Sequence, residues 1–518
     1  MVEDPVDPKT NQLQDGSRLL LIRRITSGLI WGQLGRVLEI GLGLVFSIVV
    51  VRSLGPRDYG GYSVVWSIIG VATLAASLGF GEILLRYLPE LNLKNENAAA
   101  SLARRLFSER LLVSTIIALL VWLAAEPISN WTQTPELHSL IVLVGLLIIA
   151  QGIWELLSAY FNATLRMRAY TLVRFLGQAL SLGVVLTLFQ IVPGNIWVPL
   201  FAMLAGNMLS SALYWLGASK SRRLSDNKID LGPIRRFGTT IWFTNIATFG
   251  LANQIDILLI AALLTDKNQA GFYNVSALLL GRVYLVLSGW TTILMPAAAE
   301  ARAYDPQTGL SRSFNAFMKL NLVILLPAFI FVAAWSKPLI TALFEDAFAP
   351  AAPLLTLYTL FTIASTLVGA NICHRLLYIA DRQKLLLGLR IAAGVLNIML
   401  NLLLIPRLGA AGAVLGTGIS NLAAHVTELA LFQRVVSAPY PAGVATKVIL
   451  ASLLASLPRL LLPDAGWASL TASAILFAAI FAFLFLVLRP FSQADYSMIA
   501  GSFPRLGPFV RWFSGLRG

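Results

Sequence analysis

The sequence predicts an all-α integral membrane protein: 14 transmembrane helices, two parallel six-helix repeats followed by two C-terminal helices. Three observations lead there. The 518 residues are 57% hydrophobic and only 12% charged, against roughly 25% charged in soluble domains. Apolar runs such as 137–164, 170–192 and 237–264 exceed the roughly 20 residues that cross a bilayer. One stretch also recurs. "LGPRDYGGYSVVWSIIG" from Leu54 returns as "LTDKNQAGFYNVSALLLG" from Leu264. Gly60, Tyr62, Val64 and Gly70 match Gly271, Tyr273, Val275 and Gly281, all at one offset of 211.

The elements follow in order, each bounded by charges, Gly or Pro. A polar N-terminal tail, 1–26, shows no short apolar stretch with a cleavage site, so it is not read as a signal peptide. The first helix, 27–51, is a retained anchor, and 60–84 forms the second. Helices over 108–125, 137–164, 170–192 and 196–218 complete an N-terminal bundle, 27–218. A linker, 219–236, is the longest internal loop and leaves no room for a soluble catalytic domain. The second bundle, 237–433, carries 237–264, 271–296, 316–335, 350–374, 384–405 and 410–433. Two further helices, 443–462 and 466–488, fill 443–488. In the tail, 489–518, "FPRLGPFVRWFSGLRG" either lies at the membrane interface or is a disordered basic segment. All spans are helical because a lipid-exposed backbone must satisfy its own hydrogen bonds.

Charge sets the orientation. With these helices, 31 of the 39 Lys and Arg fall on the side of the N-terminus, which marks that side as cytoplasmic. An even number of crossings puts both termini there. The net charge of +14 is then topology and contact with anionic membrane lipids, and no nucleic-acid partner is expected. The lone Cys373 forms no internal disulfide. His138, His374 and His425 are scattered, and no metal site is expected.

The repeat extends further. "RMRAYTLVRFLG" before the fifth helix corresponds to "IADRQKLLLGLR" before the eleventh, with Arg168 and Arg382 214 apart. Pro193 and Pro406, ending those helices, are 213 apart. Each half holds an even number of crossings, so the halves are parallel repeats about an axis along the membrane normal. Two such bundles around a cleft can rock and open it to either side in turn, the basis of alternating access. The alternative is a duplication kept only for packing.

Several stretches carry a family resemblance: "VVVRSLGPRDYGGYSV", "LGFGEILLRYLPEL", "NQIDILLIAALLTDKNQAGFYNVSALLL" and "PAAAEARAYD". Over almost the whole chain it resembles the polysaccharide transporter, or Wzx-type, flippases of the multidrug/oligosaccharidyl-lipid/polysaccharide (MOP) exporter superfamily. Fourteen helices fit these and the related lipid II flippases, a MurJ-like architecture, better than twelve-helix drug exporters. The resemblance implies translocation of a polyprenyl-diphosphate-linked oligosaccharide from the cytoplasmic to the outer leaflet of the bacterial inner membrane. The product would feed surface polysaccharide, O-antigen or exopolysaccharide synthesis, with a polysaccharide polymerase or chain-length machinery as partner. No enzymatic step is expected, and no cofactor beyond a coupling ion, H+ or Na+.

A diphosphate cargo calls for a cationic cavity, and charges within spans cost ~2.5–3.5 kcal/mol on insertion scales. Those charges are therefore the candidate residues. Arg282, in "SALLLGRVYLVLSG", has no acidic neighbour on its own helix and is the first candidate for cargo contact. Related lipid II flippases place arginines on helices one and eight against the diphosphate. Asp256, in "ANQIDILLI", pairs with Arg282 or holds the coupling ion. Arg36 and Glu39 share one helix face. They form an ion pair, or phosphate competes with Glu39 for Arg36. Glu155 is a second acidic candidate for coupling or ion pairing, and His425 with Glu428 reads as structural hydrogen bonding. Asn397, four before Asn401, is placed with the cargo contacts, like Asn245, Asn253 and Gln254. The alternative for all five amides is interhelical bonding. Gly41, Gly43, Gly177 and Gly183 are read as close-packing positions.

Two other functions compete. A drug/cation antiporter of the same superfamily would want an acid-rich cavity and gives no reason for Arg282. A membrane polysaccharide polymerase or ligase would want a long outer loop, and every outer loop here is short.

Overall fold

A computed structural model describes residues 8–218, 230–249, 253–460, 466–492 and 495. Among these residues the chain is helical, without strands. Eleven helices are long and apolar enough to cross a membrane. Helix Gly466–Leu488 has a mean hydropathy of 2.6, yet only 17% of its span is buried within the protein. Its apolar faces therefore need lipid, and the chain is a multi-pass membrane protein. The basic segment 503–518 lies outside the described residues.

Packing divides the chain into two units, Met1–Ile246 and Ala247–Gly518. The first holds α1 (Pro8–Ser77), α2 (Phe80–Lys94), α3 (Glu96–Leu123), α4 (Ala125–Thr132), α5 (Glu136–Ala163), α6 (Met167–Ile191), α7 (Trp197–Ala218) and most of α8 (Leu231–Phe249). The first helix extends back to Pro8, where the described residues begin, rather than starting near residue 27.

The two helices that the sequence predicts here are both present: α1 is two helical segments joined across a break that falls within the expected connector over 52–59. Gly55 breaks the helical geometry (φ 70°, ψ 175°), with Pro56 next. Glu39 lies beside Arg174 and Gln178 of α6. Gly61 packs against Ile196 in the α6–α7 turn, and the Tyr62 hydroxyl reaches Met203 Sδ of α7 at 3.6 Å. The chain thus runs along α6, turns near Gly55 and returns against α5 and α3, where the Thr73 carbonyl lies 3.5 Å from Arg110.

The second expected helix ends at Ser77. Leu78 and Gly79 follow with positive φ (42° and 71°). A Cβ at Gly79 would lie 2.3 Å from the Gly238 carbonyl oxygen, so glycine is what lets α8 approach. Trp242 Nε1 donates to the Leu74 carbonyl at 3.1 Å, and the Arg86 guanidinium covers the Phe237 ring at 4.3 Å. Beneath them Phe80, Ile83, Leu84, Leu102, Leu106, Leu156 and Ile234 form an apolar core.

The second unit holds α9 (Asn253–Leu263), α10 (Asn268–Leu287), α11 (Leu294–Tyr304), α12 (Gly309–Ala334), α13 (Ser336–Phe344), α14 (Ala351–Leu367), α15 (Ile372–Ile379), α16 (Gln383–Leu408), α17 (Ala410–Val436), α18 (Ala442–Ser456) and α19 (Gly466–Leu488). Its core gathers Phe314, Met318, Leu322, Ile372, Leu376, Phe432 and Val448. The last two helices belong to this unit: Ala455, Leu470 and Phe477 close around Trp335. The expected helix over 237–264 is covered by α8 and α9, with 250–252 outside the described residues, and the one over 350–374 is divided into α14 and α15. That division falls at Gly369 and Asn371, both at positive φ.

The duplication reaches the helix breaks. α3 ends at Leu123 and α4 starts at Ala125. α12 ends at Ala334 and α13 starts at Ser336, at the same offset that separates Gly60 from Gly271. Leu165 (φ 55°) precedes α6, and Asp381 (φ 62°) likewise precedes α16. The same sequence of long and short helices has folded twice.

The glycines separate into two kinds. A Cβ at Gly177 would sit 1.9 Å from Ser210 Oγ and 2.8 Å from the Gly206 carbonyl oxygen, so α6 and α7 cross closely there. Gly41 and Gly183 have nothing within 4 Å of such a Cβ and are not packing positions. Gly177→Val is expected to cost about 1–3 kcal/mol by overpacking, read as a lower Tm in detergent, while Gly41→Ala leaves the Tm unchanged or raises it, since alanine is the better helix former. Equal Tm values for both variants would contradict this packing.

Candidate functional site

Asp256 sits on α9, fully buried in the second unit. Its carboxylate is bound entirely by neutral donors. Tyr273 Oη of α10 donates to Oδ2. Asn397 and Asn401 of α16 donate to Oδ1 at 3.2 and 2.7 Å. Thr417 Oγ1 of α17 donates to Oδ2 at 2.6 Å. Gly416 makes room, since a Cβ there would meet Asn401 Oδ1 at 2.2 Å. That amide oxygen is buried and has no hydrogen-bond partner among the described residues. Four helices thus converge on one carboxylate, and the salt bridge to Arg282 is not formed. The i,i+4 amide spacing of Asn397 and Asn401 is what puts both on Asp256. Asn253 accepts from Tyr358 Oη at 2.9 Å, and Asn245 donates to Glu82 at 3.3 Å. Among these expected sugar contacts, all four of Asn245, Asn253, Asn397 and Asn401 therefore bond between helices.

Three further acids are held by arginines. Arg110 of α3, only 2% exposed, donates to Glu155 of α5 at 2.9 Å and to the Gly152 carbonyl at 3.4 Å. Asn321 of α12 is its neutral counterpart by the same repeat offset, and it donates to the Thr366 carbonyl at 3.3 Å. Glu39 is bound by Arg174 of α6. This replaces the expected pair with Arg36: the interhelical arginine, stacked at 4.8 Å over Trp154, reaches Glu39 instead. Glu428 of α17 is fully buried and bound by Arg390 at 2.9 Å and His374 at 2.8 Å, not by His425. Arg174 and Arg390 are separated by the same interval as Met167 and Gln383, which start their helices. They hold equivalent places in the two units.

Arg110, Arg174 and Arg390 are the functional-looking charges that a scan of predicted spans misses, because each lies near a predicted helix start. The signal was present: Arg166, Arg168 and Arg174 recur as Arg382, Lys384 and Arg390, a register two residues away from the expected match of Arg168 with Arg382.

Arg36 on α1 and Arg282 on α10 remain. Each is half-buried. Neither forms a hydrogen bond or ion pair with any described residue. Among the described residues no group of three or more His, Cys, Asp or Glu is placed to hold a metal.

The first unit also has a half-open cavity of about 180 Å³ between α1, α5, α6 and α7. The Glu39–Arg174 pair lies on its wall, together with Trp66, Trp154, Gln151, Gln178 and Asn207.

Comparison with solved structures defines the class. "Lipid II flippase MurJ, inward closed conformation" is 15% identical, aligned over 89% of this chain and 98% of that one, with a TM-score of 0.68. An inward-facing multidrug resistance MATE family transporter of the MOP superfamily is 16% identical over 77% and 94%, with a TM-score of 0.61. A MOP superfamily transporter from Pyrococcus furiosus is 15% identical over 79% and 95%, with a TM-score of 0.51. The chain therefore has the fold of MOP-superfamily transporters. Its sequence from 49 to 353, more than half its length, matches the polysaccharide biosynthesis protein family, and the chain belongs to that family. No match was found among curated protein sequences.

The buried pairs have a measurable consequence. Removing one partner of a buried ion pair costs about 3 kcal/mol or more, while replacing both by apolar groups costs far less. Arg390→Met is expected to lower the Tm markedly, and the double variant Arg390→Met with Glu428→Leu to recover most of the loss. A double variant as unstable as the single would contradict this pairing.

Proposed function

We propose that this protein is a flippase of the bacterial inner membrane. It moves a polyprenyl-diphosphate-linked oligosaccharide to the outer leaflet by alternating access, for surface-polysaccharide synthesis. Family membership supports the glycan, and one observation carries the cargo chemistry: Arg282 lies half-buried in a membrane helix with no partner among the described residues. A guanidinium left so in a bilayer is costly, and its planar fork matches the oxygens of a phosphate. Arg36 is the second candidate for the same role in the first unit. The lipid tail stays among acyl chains while the head group crosses, and no bond is made or broken.

The coupling ion, H+ or Na+, exchanges at Asp256. A cation there would be met by the carboxylate, by Thr417 Oγ1 and by the amide oxygens of Asn397 and Asn401 once those amides rotate. The unpartnered Asn401 oxygen supports this reading. A polysaccharide polymerase or chain-length protein would take the product outside, and the excess of cytoplasmic Lys and Arg puts both termini inside.

Deleting the gene and analysing lipid-linked sugars tests the reading. Accumulation of the intermediate on the cytoplasmic leaflet is expected. Unchanged surface glycan with altered drug sensitivity would contradict it and favour the antiporter. Arg282→Ala is expected to abolish complementation while still inserted; full activity would remove Arg282 from the site. Asp256→Asn is expected to remove the dependence of transport on the Na+ or H+ gradient, and a variant still driven by the gradient would rule out Asp256.

A further inference from the structure

Three amides face the half-open cavity of the first unit: Gln151 from α5, Gln178 from α6 and Asn207 from α7. Their hydrogen bonding is incomplete. Asn207 Nδ2 donates to Gln151 Oε1 at 2.8 Å, and Gln178 Nε2 donates to the Glu39 carbonyl at 3.2 Å. Asn207 Oδ1 and Gln178 Oε1 bond to no described residue. Two acceptors are therefore available beside the indole rings of Trp66 and Trp154.

Charge narrows the ligand. The cavity holds one cation and one anion, and they bind each other: Arg174 to Glu39. Arg174 Nη1 is taken by Tyr170 and Ser158 and Nη2 by Glu39, which leaves only the buried Nε unpartnered among the described residues. A phosphate would therefore have to displace Glu39 to meet the guanidinium fork. An organic cation would have to displace Arg174, whose guanidinium already covers Trp154 at 4.8 Å. A neutral molecule with hydroxyl groups meets neither obstacle. Its O–H groups donate to the free amide oxygens, and its apolar C–H face lies on an indole. Aromatic walls with a few placed polar groups are the usual make-up of a small-molecule site. At about 30 Å³ per water, a space of 180 Å³ is of the order of one sugar ring, and its open side leaves the rest of an oligosaccharide outside.

We propose that this cavity is a binding subsite for a single neutral glycosyl residue. The proposal rests on the reading of the protein as a glycan carrier and adds where one sugar of the head group is held. Glu39 and Arg174 act as a closed pair that keeps phosphate and cations out.

Saturation-transfer NMR on the full chain in nanodiscs tests it, with methyl glycosides of glucose, galactose, mannose, rhamnose and N-acetylglucosamine as probes. At least one is expected to bind. Trp66→Ala and Gln178→Leu, on separate helices, are each expected to weaken that binding about tenfold or more, while Gly41→Ala leaves it intact. Absence of any signal at millimolar glycoside in the wild-type protein would overturn the proposal. So would binding that survives both variants, or displacement by methyl phosphate or tetraphenylphosphonium. The two readings fail separately. Glycoside binding without accumulation of lipid-linked sugar in the deletion strain refutes the flippase and keeps the subsite. Accumulation without glycoside binding refutes the subsite alone.

Discussion

A charge inside a bilayer must be neutralised, solvated or used. That constraint orders everything polar in this chain. Arg110 holds Glu155, Arg174 holds Glu39, and Arg390 with His374 holds Glu428, each across helices rather than along one. Asp256 is handled differently, by four neutral donors. Once these groups are matched, Arg36 and Arg282 are what is left on the list of membrane charges that the sequence singles out. The functional reading grows from that remainder, because an arginine without an acid is what a phosphate-bearing cargo requires.

The duplication shows how such groups diverge. Both units keep the breaks, the turns and the arginine that follows the start of α6 or α16. They differ in what the arginine meets: Glu39 beside an aromatic, amide-lined cavity in one unit, Glu428 with His374 in the other. Arg110 has become Asn321. The Asp256 cluster belongs to the second unit, where Tyr62 of the first, the counterpart of Tyr273, meets Met203 instead of a carboxylate. One ancestral bundle has thus been kept for its packing and altered at its polar positions.

Much of the fold was legible in the sequence, since hydropathy and loop charge respond to the bilayer directly. The class and most helix limits came from apolar length alone. The repeat was visible at Tyr62 and Tyr273. Local features were harder to read. Gly55 and Pro56 turn the chain in a single step, which hydropathy records only as a polar gap. Gly41 and Gly177 look alike in sequence, yet only one faces a crossing helix. The pairing of acids was misread for the same reason. Glu39 has Arg36 one turn away, but its actual partner, Arg174, is far along the chain on α6. Asn397 and Asn401 were noted for their spacing, yet their shared target, Asp256, depends on how α9, α16 and α17 pack.

The central claim is that the protein carries a lipid-linked glycan across a bilayer and that Arg282 is needed for the crossing. Reconstitution into vesicles with a polyprenyl-diphosphate-linked oligosaccharide tests it most directly, using periodate outside to oxidise only head groups exposed on the outer leaflet. With the wild-type protein, nearly all of the lipid should become oxidisable with time; with Arg282→Ala, only the fraction facing outward at the start should react. Equal protection in vesicles with and without the wild-type protein would contradict the account.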